Sequence, residues 1–267
     1  MRRTIDGLVL REMQSGDNDR RILVLTSEGK MWMTAKGAKS VRSKYAAISQ
    51  IFSYANFEFY EKNNAKWVSG GSAISVFNNL QNDLEAFSLA SYIAQIADEI
   101  TEEEYPAENI LRTTLNMIYA IDKKLKPLEQ IKAAYELFAA SESGFCPDLF
   151  ECSECASETF SDTSTVWLDV MNGRIICEDC LKKKSGGLPL PEKDAYETKN
   201  VLFPLDVSAL CAMRYVMSAQ PQRLLAFSLS NEQSLALFAR ASEGFLLNHL
   251  ERDFSTLHFY NMMKDKK

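Results

Sequence analysis

Histidine is nearly missing from this chain: among its 267 residues only His249 and His258 occur, both late in the sequence. That scarcity removes the commonest general acid–base group from most of the protein. No HExxH pair, phosphate-loop motif or GxSxG elbow is present, so the hydrolase chemistries built on those motifs have no foothold. Long uncharged apolar runs are lacking too, which excludes a transmembrane helix and any membrane partner. The opening Met1-Arg2-Arg3-Thr4-Ile5-Asp6-Gly7 has no apolar signal-peptide core, and the expected compartment is a reducing cytoplasm. Carboxylates are plentiful, but clusters such as Glu102-Glu103-Glu104 read as solvated turns, and His249 reads as a core or capping residue. The expectation is a protein that is not an enzyme. With 46% hydrophobic and 25% charged residues, the composition is that of an ordinary globular chain.

Cysteine, by contrast, is patterned. Cys152-Ser-Glu-Cys155 is answered by Cys177-Glu-Asp-Cys180, with 21 residues between the inner pair. Each half sets two thiols three residues apart, and two such turns supply four soft sulfur donors, which suits one tetrahedral Zn²⁺. The interval is about one residue longer than the usual range, a small change because lengthening a loop costs little entropy. An iron–sulfur cluster is the other group that four thiolates can hold. A thioredoxin-like redox pair is disfavoured because there are two CxxC units and neither clearly opens a helix after a strand. Disulfides fit poorly with a reducing compartment, and Cys146 and Cys211 would remain as thiols on apolar faces. Four cysteine ligands leave no open coordination position, so the zinc is structural, one ion per chain.

Charge divides the chain. Residues 1–80 hold 12 Lys and Arg against 7 Asp and Glu, whereas the remainder holds 18 against 29, within a total net charge of −6. Such polarity points to one end that meets a polyanion. The same end reads as strands: Ile5–Arg11, Arg21–Thr26, Lys30–Lys36, Ile51–Tyr60 and Lys66–Phe77, with turn residues between them. Five short strands suit a small closed barrel of the OB type, which leaves no open sheet edge. Between Gly29 and Phe57 there is no acidic residue, and Lys36, Lys39, Arg42 and Lys44 fall in the connection between the third and fourth strands. Trp32, Tyr45, Phe52, Tyr54, Phe57 and Phe59 flank it. Cations interleaved with aromatic rings are what single-stranded nucleic acid binding uses, although strand aromatics also fill barrels.

From Asn79 the apolar spacing becomes helical, through Leu84, Phe87, Ile93 and Ile96, with new starts at Pro106 and Pro127. Val166–Val170 reads as a strand inside the cysteine module, Asn172-Gly173 as a turn, and Lys182 to Pro191 as an exit loop. Asp206 is placed to cap a helix, and Ser230 with Gln233 has capping-box spacing ahead of another. The terminal Lys264-Asp265-Lys266-Lys267 reads as frayed. The fold class is therefore α+β. An N-terminal five-stranded OB-type barrel (1–78) precedes a mainly α-helical domain (79–267), which carries an inserted four-cysteine zinc module at about 145–190. The helices on the two sides of the module are expected to form one domain, with the metal fixing the excursion between them.

These residues also carry a resemblance. Asp19-Arg20-Arg21 leading to Thr26-Ser-Glu-Gly29-Lys30, Ala35-Lys36-Gly37-Ala38-Lys39, and Gly144-Phe145-Cys146-Pro147 leading into the cysteine pairs resemble motifs of the bacterial RecO family of DNA repair proteins. The resemblance spans nearly the whole sequence. It implies an OB domain, a helical domain and a zinc-binding insertion, with no catalytic residues. It further implies binding of single- and double-stranded DNA, annealing of complementary strands, and help in loading RecA onto DNA coated by single-strand-binding protein (SSB). The implied partners are RecR and the acidic C-terminal tail of SSB, with RecA engaged indirectly, in a nucleoid-associated cytoplasmic setting. DNA contacts are assigned to Arg20, Arg21, Lys36, Lys39, Arg42 and Lys44, and metal ligation to Cys152, Cys155, Cys177 and Cys180. Arg214, Arg223 and Arg240 are candidate cations for the SSB tail. The rival reading from the residues alone is a non-catalytic, zinc-stapled adapter between proteins.

Overall fold

A computed structural model describes residues 2–40, 42–161, 164–185 and 201–264. The first five strands are β1 (Arg2–Ser15), β2 (Asp19–Thr26), β3 (Gly29–Ala35), β4 (Tyr54–Lys62) and β5 (Ala65–Ser75), closed into a barrel in the order β1-β2-β3-β5-β4. Alternation decides which side chains enter it. Ile5, Val9, Ile22, Val24, Met31, Met33, Phe57, Phe59 and Val68 are buried in one interior cluster. The seam that closes the barrel is parallel and short, pairing Met33 with Lys66 and Thr34 with Trp67.

The opposite face of β1 and β2 is apolar as well: Leu8, Leu10, Leu23 and Leu25 are buried. Those leucines face outward from the barrel and need a cover. α1 (Leu84–Ile100) and α2 (Glu108–Asp122) lie against these strands and supply it. Asp83 caps α1 by accepting from the N–H of Ala86 at 3.1 Å. Phe52, buried and held at φ +62°, meets Phe87 of α1 edge-to-face at 5.4 Å. Gly29 is required at the β2–β3 turn, where φ is +108° and a Cβ would lie 2.6 Å from the carbonyl oxygen of Glu102. Through that close approach the N–H of Lys30 donates to Glu102 and the N–H of Ala107 to Ser27.

The chain gathers into two compact units, residues 1–125 with 254–267, and residues 126–253. The first joins α1, α2 and the returning α7 (Ser255–Lys264) to the barrel; Thr256 Oγ1 donates to Gln95 Oε1 at 2.5 Å, and Phe254 meets Tyr92 edge-to-face. The second contains α3 (Leu128–Glu142), which follows Pro127, packed against α5 (Val207–Ser218) and α6 (Glu232–Leu250). Between α3 and α5 in the chain come the strands of a four-stranded sheet in the order β6-β8-β7-β9, packed on α5 and α6. Its strands are β6 (Asp148–Cys152), β7 (Val166–Asp169), β8 (Arg174–Cys177) and β9 (Leu202–Leu205). Gly244 of α6 lets the ring of Phe203 sit directly on the helix backbone, since a Cβ there would be 2.3 Å from the ring.

Several local expectations change. Asn231, not Ser230, caps α6, because its Oδ1 accepts from the N–H of Gln233 at 2.9 Å. Lys182–Lys184 belong to a short helix, α4 (Glu178–Lys184), not to an exit loop; Lys182 pairs with Glu178 one turn back, and cations suit a helix C-terminus. The remainder of that proposed loop, 186–191, and the terminal 265–267 lie outside the described residues. Cys146 and Cys211 are exposed, so neither thiol faces apolar packing.

One buried ion group ties α3 to α6. Lys132, 3% exposed, lies 2.8 Å from Glu136, fully buried, and 2.6 Å from Glu243. Burial would lower the lysine pKa, but the two carboxylates outweigh it and raise it above the ordinary lysine value. A raised pKa contributes stability below the ordinary lysine value and loses it only as pH climbs through the folded one, so Lys132 stays charged throughout the neutral range. Lys132→Met leaves Glu136 buried without its cation and is expected to cost about 3–5 kcal/mol. The shift in urea midpoint measures it, and Glu136→Gln added to that variant should recover part of the loss.

Candidate metal centre and nucleic-acid interface

The metal centre is built by strand pairing. β6 and β8 run parallel, and each ends in a cysteine, so Cys152 and Cys177 arrive side by side; the N–H of Cys177 donates to Cys152 Sγ at 3.3 Å. Cys155 follows in the turn after β6, where Ala156 takes φ +54° and its N–H returns to the carbonyl of Cys152. Cys180 lies in the first turn of α4. All four Sγ atoms lie within 4.8 Å of one another, and Cys155 and Cys177 are 3.9 Å apart. Lys184 reaches from α4 to Glu154 at 2.5 Å, joining the two cysteine turns.

Electrostatics at this cluster call for a cation. Burial opposes ionisation of Cys152, but the N–H groups of Cys177, Glu154 and Cys155 outweigh it and bring its pKa down to about 6. Cys180 is pushed up to about 12 by hydrogen bonds with Cys177 and Cys155, and burial raises Cys177. Four sulfurs so close cannot all be anionic alone, and a metal ion held there would replace the shared protons. Four sulfur donors around a single point can hold a metal ion and leave it no vacant position for a substrate.

The second candidate site is the outer face of the barrel near its closing seam. Five of the six predicted cations are on or beside it. Arg21 lies over the ring of Trp32, with 4.7 Å from guanidinium carbon to centroid. Lys36 lies over Trp67 at 4.6 Å, and Lys44 over Tyr45 at 4.9 Å. Lys39 and Arg42 are exposed in the connecting loop. That loop is held at its base: the N–H of Gly37, at φ +64°, donates to Asp19 Oδ1, the N–H of Lys39 to the carbonyl of Asn18, and Tyr45 Oη to the carbonyl of Ser69.

Arg20 differs. One residue from Arg21 on the same strand, it points to the opposite side, donates to Ala46 O and Ser49 Oγ at 3.4 and 3.5 Å, and lies 3.7 Å from Glu12. Its charge anchors the loop from within. Of the aromatic residues, Phe52, Phe57 and Phe59 are buried, while Trp32, Tyr45 and Tyr54 are half-buried. Trp67 was not among the sequence candidates. Its signal was present as the residue before inward-facing Val68, which alternation turns outward. Arg11, 6.0 Å from the Trp32 ring and 3.2 Å from Asp98, was missed as well. In the second unit, the Arg214 guanidinium donates to the carbonyls of Leu149 and Phe150.

A small closed barrel with cations laid over half-buried rings, followed in the same chain by helices and a four-thiol cluster that can hold a metal ion, defines a barrel protein with a candidate metal centre. The chain belongs to the RecO family of DNA repair proteins. The model for "Recombination protein O N terminal" matches residues 1–77, and that for "Recombination protein O C terminal" matches 81–258. The chain is 25% identical over 254 residues to the DNA repair protein RecO of Acetivibrio thermocellus, covering 95% of this chain and 94% of that protein. It is 26% identical over 267 residues to RecO of Symbiobacterium thermophilum, covering 98% of each. It is 29% identical over 192 residues to RecO of Listeria monocytogenes, covering 70% of this chain and 72% of that protein. Among the described residues, no helix is long and apolar enough to cross a membrane.

The thiol cluster generates a direct test. The core beside it is small, formed by Cys152, Trp167, Ile176 and Leu181 with a few half-buried neighbours, so an ion held by the thiols would add a large share of the module's stability. Cys152→Ser or Cys177→Ser should lose the bound metal in native mass spectrometry and become protease-sensitive within 145–185, while the barrel remains protected.

Proposed function

We propose that this chain is a DNA-binding recombination mediator acting in DNA repair. It binds single- and double-stranded DNA, anneals complementary strands and, with RecR, assists RecA in displacing SSB, whose acidic C-terminal tail is a further partner. It works in the cytoplasm at the nucleoid and catalyses no bond change. The observation that carries the DNA reading is the barrel face on which Arg21, Lys36 and Lys44 each lie over an aromatic ring. Annealing joins two polyanions, so it needs cations that displace counterions from both strands. Lys36, Lys39, Arg42 and Lys44, with Arg21, supply them, whereas Arg20 acts by holding the loop.

The ion in the second unit is Zn²⁺, with a structural role. At a zinc–sulfur distance of about 2.3 Å, tetrahedral ligands lie about 3.8 Å apart. The 3.9 Å separation of Cys155 and Cys177 and the 4.8 Å limit on the whole set fit one such ion. An iron–sulfur cluster, which contains several ions, needs wider spacing.

Fluorescence anisotropy with labelled DNA across a salt series tests this reading. Binding should be tight at low salt and fall steeply as salt rises. Changing Lys36, Lys39, Arg42 and Lys44 together to alanine should flatten the slope by roughly three to four units of log K against log salt. Arg20→Ala should act mainly on thermal stability. A protein holding one zinc per chain but no DNA at low salt is instead a zinc-stapled adapter.

A further inference from the structure

The cations on the barrel face account for phosphate contact, but they do not explain the rings beneath them. Along β3, Met31, Met33 and Ala35 are buried in the barrel, so Trp32 and Thr34 face out. Along β5, Val68 is buried and Trp67 faces out. The register aligns Thr34 with Trp67 across the parallel seam and Trp67 with Tyr60 across β4. Trp32 is two residues from Thr34 on the same face. Two indoles and a phenol thus project from one face of three neighbouring strands, Trp67 directly opposite Tyr60 and Trp32 diagonal to Trp67 across the small Thr34. Indoles scattered singly on a surface would need no explanation, but a contiguous set does. Each indole face is turned toward a cation, Arg21 or Lys36. The Glu58 side chain lies over Gly70 and sets an acidic limit on one side.

We infer that Trp32 and Trp67 form a base-stacking platform that makes this face selective for unpaired strand over duplex. The inference rests on the reading of the face as a nucleic-acid site and adds the strand class that it prefers. An unpaired base offers its ring faces to an indole, and the exposed, flexible Arg21 and Lys36 swing from the rings to meet its phosphates. In a duplex those faces are buried in the stack, so duplex engages the cations alone. Stacking uses the face of a base and leaves its pairing edge open to a complementary strand. Once paired, the base withdraws into the new duplex, and the platform holds the product less tightly than the separate strands.

Tryptophan emission reads this directly. Of the three tryptophans, Trp167 is buried in the sheet of the second unit, so a Trp167→Phe protein emits only from Trp32 and Trp67. Titrated at low salt, oligothymidine should quench this emission, and a duplex of equal length should bind by anisotropy with little quenching. Trp67→Ala should weaken single-strand binding roughly tenfold and duplex binding by less than about twofold, with Trp67→Phe recovering most of the loss. Equal quenching by both ligands, or equal weakening of both by Trp67→Ala, would overturn the inference and leave the DNA reading intact. Failure of the unsubstituted protein to bind either ligand would overturn the DNA reading itself.

Discussion

The barrel closes through two residue pairs. Met33 opposite Lys66 and Thr34 opposite Trp67 are the whole of the parallel seam between β3 and β5, and much of the rest depends on it. Closure turns Met31, Met33 and Val68 into one interior and so forces Trp32, Thr34 and Trp67 outward together. It also brings the connection after β3 over β5, where Tyr45 reaches the carbonyl of Ser69. A seam this short adds little hydrogen-bond energy of its own. It is maintained by the packed interior on one side and, around the rest of the sheet, by long antiparallel ladders such as β1 with β2. An edge left open at β3 and β5 would separate the rings and expose two strands to pairing with other chains.

Charge is partitioned on top of that architecture. On β2, adjacent arginines serve opposite purposes because successive side chains leave a strand on opposite faces. Arg20 turns in and is occupied by the carbonyl of Ala46, the hydroxyl of Ser49 and Glu12; Arg21 turns out over Trp32. The acidic excess lies beyond residue 80, where 29 carboxylates outnumber 18 cations. There the cations are used internally: Lys132 between α3 and α6, Lys182 and Lys184 within the cysteine module, and Arg214 on the carbonyls of β6. The metal centre follows the same logic. Four crowded thiols place opposing demands on their protons, which a bound metal ion would remove while linking two turns and a parallel strand pair.

The barrel was legible because its strands alternate cleanly and its turns carry glycine, asparagine or aspartate. The cap at Asp206 and the paired cysteines were legible because their spacing is local; the Asp206 side chain accepts from the N–H of Ala209 at 2.7 Å, as capping spacing requires. What could not be read depends on contacts distant in sequence. β6, β8 and β9 have only four or five residues each and acquire their identity from one another. The return of α7 to α1 comes from packing across more than 150 residues, as in Thr256 with Gln95. Within the candidate interface, composition located the basic loop but could not separate Arg20 from Arg21, a matter of one residue in strand parity. It also passed over Trp67, which acquires a role only when the seam sets it beside Thr34.

Hydrogen–deuterium exchange of the full chain, with and without a single-stranded oligonucleotide, tests the central claim most directly. The account predicts added protection in peptides from 30–45 and 60–70, with no change across the cysteine module. Protection concentrated in 145–185, with the barrel unaffected, would contradict it.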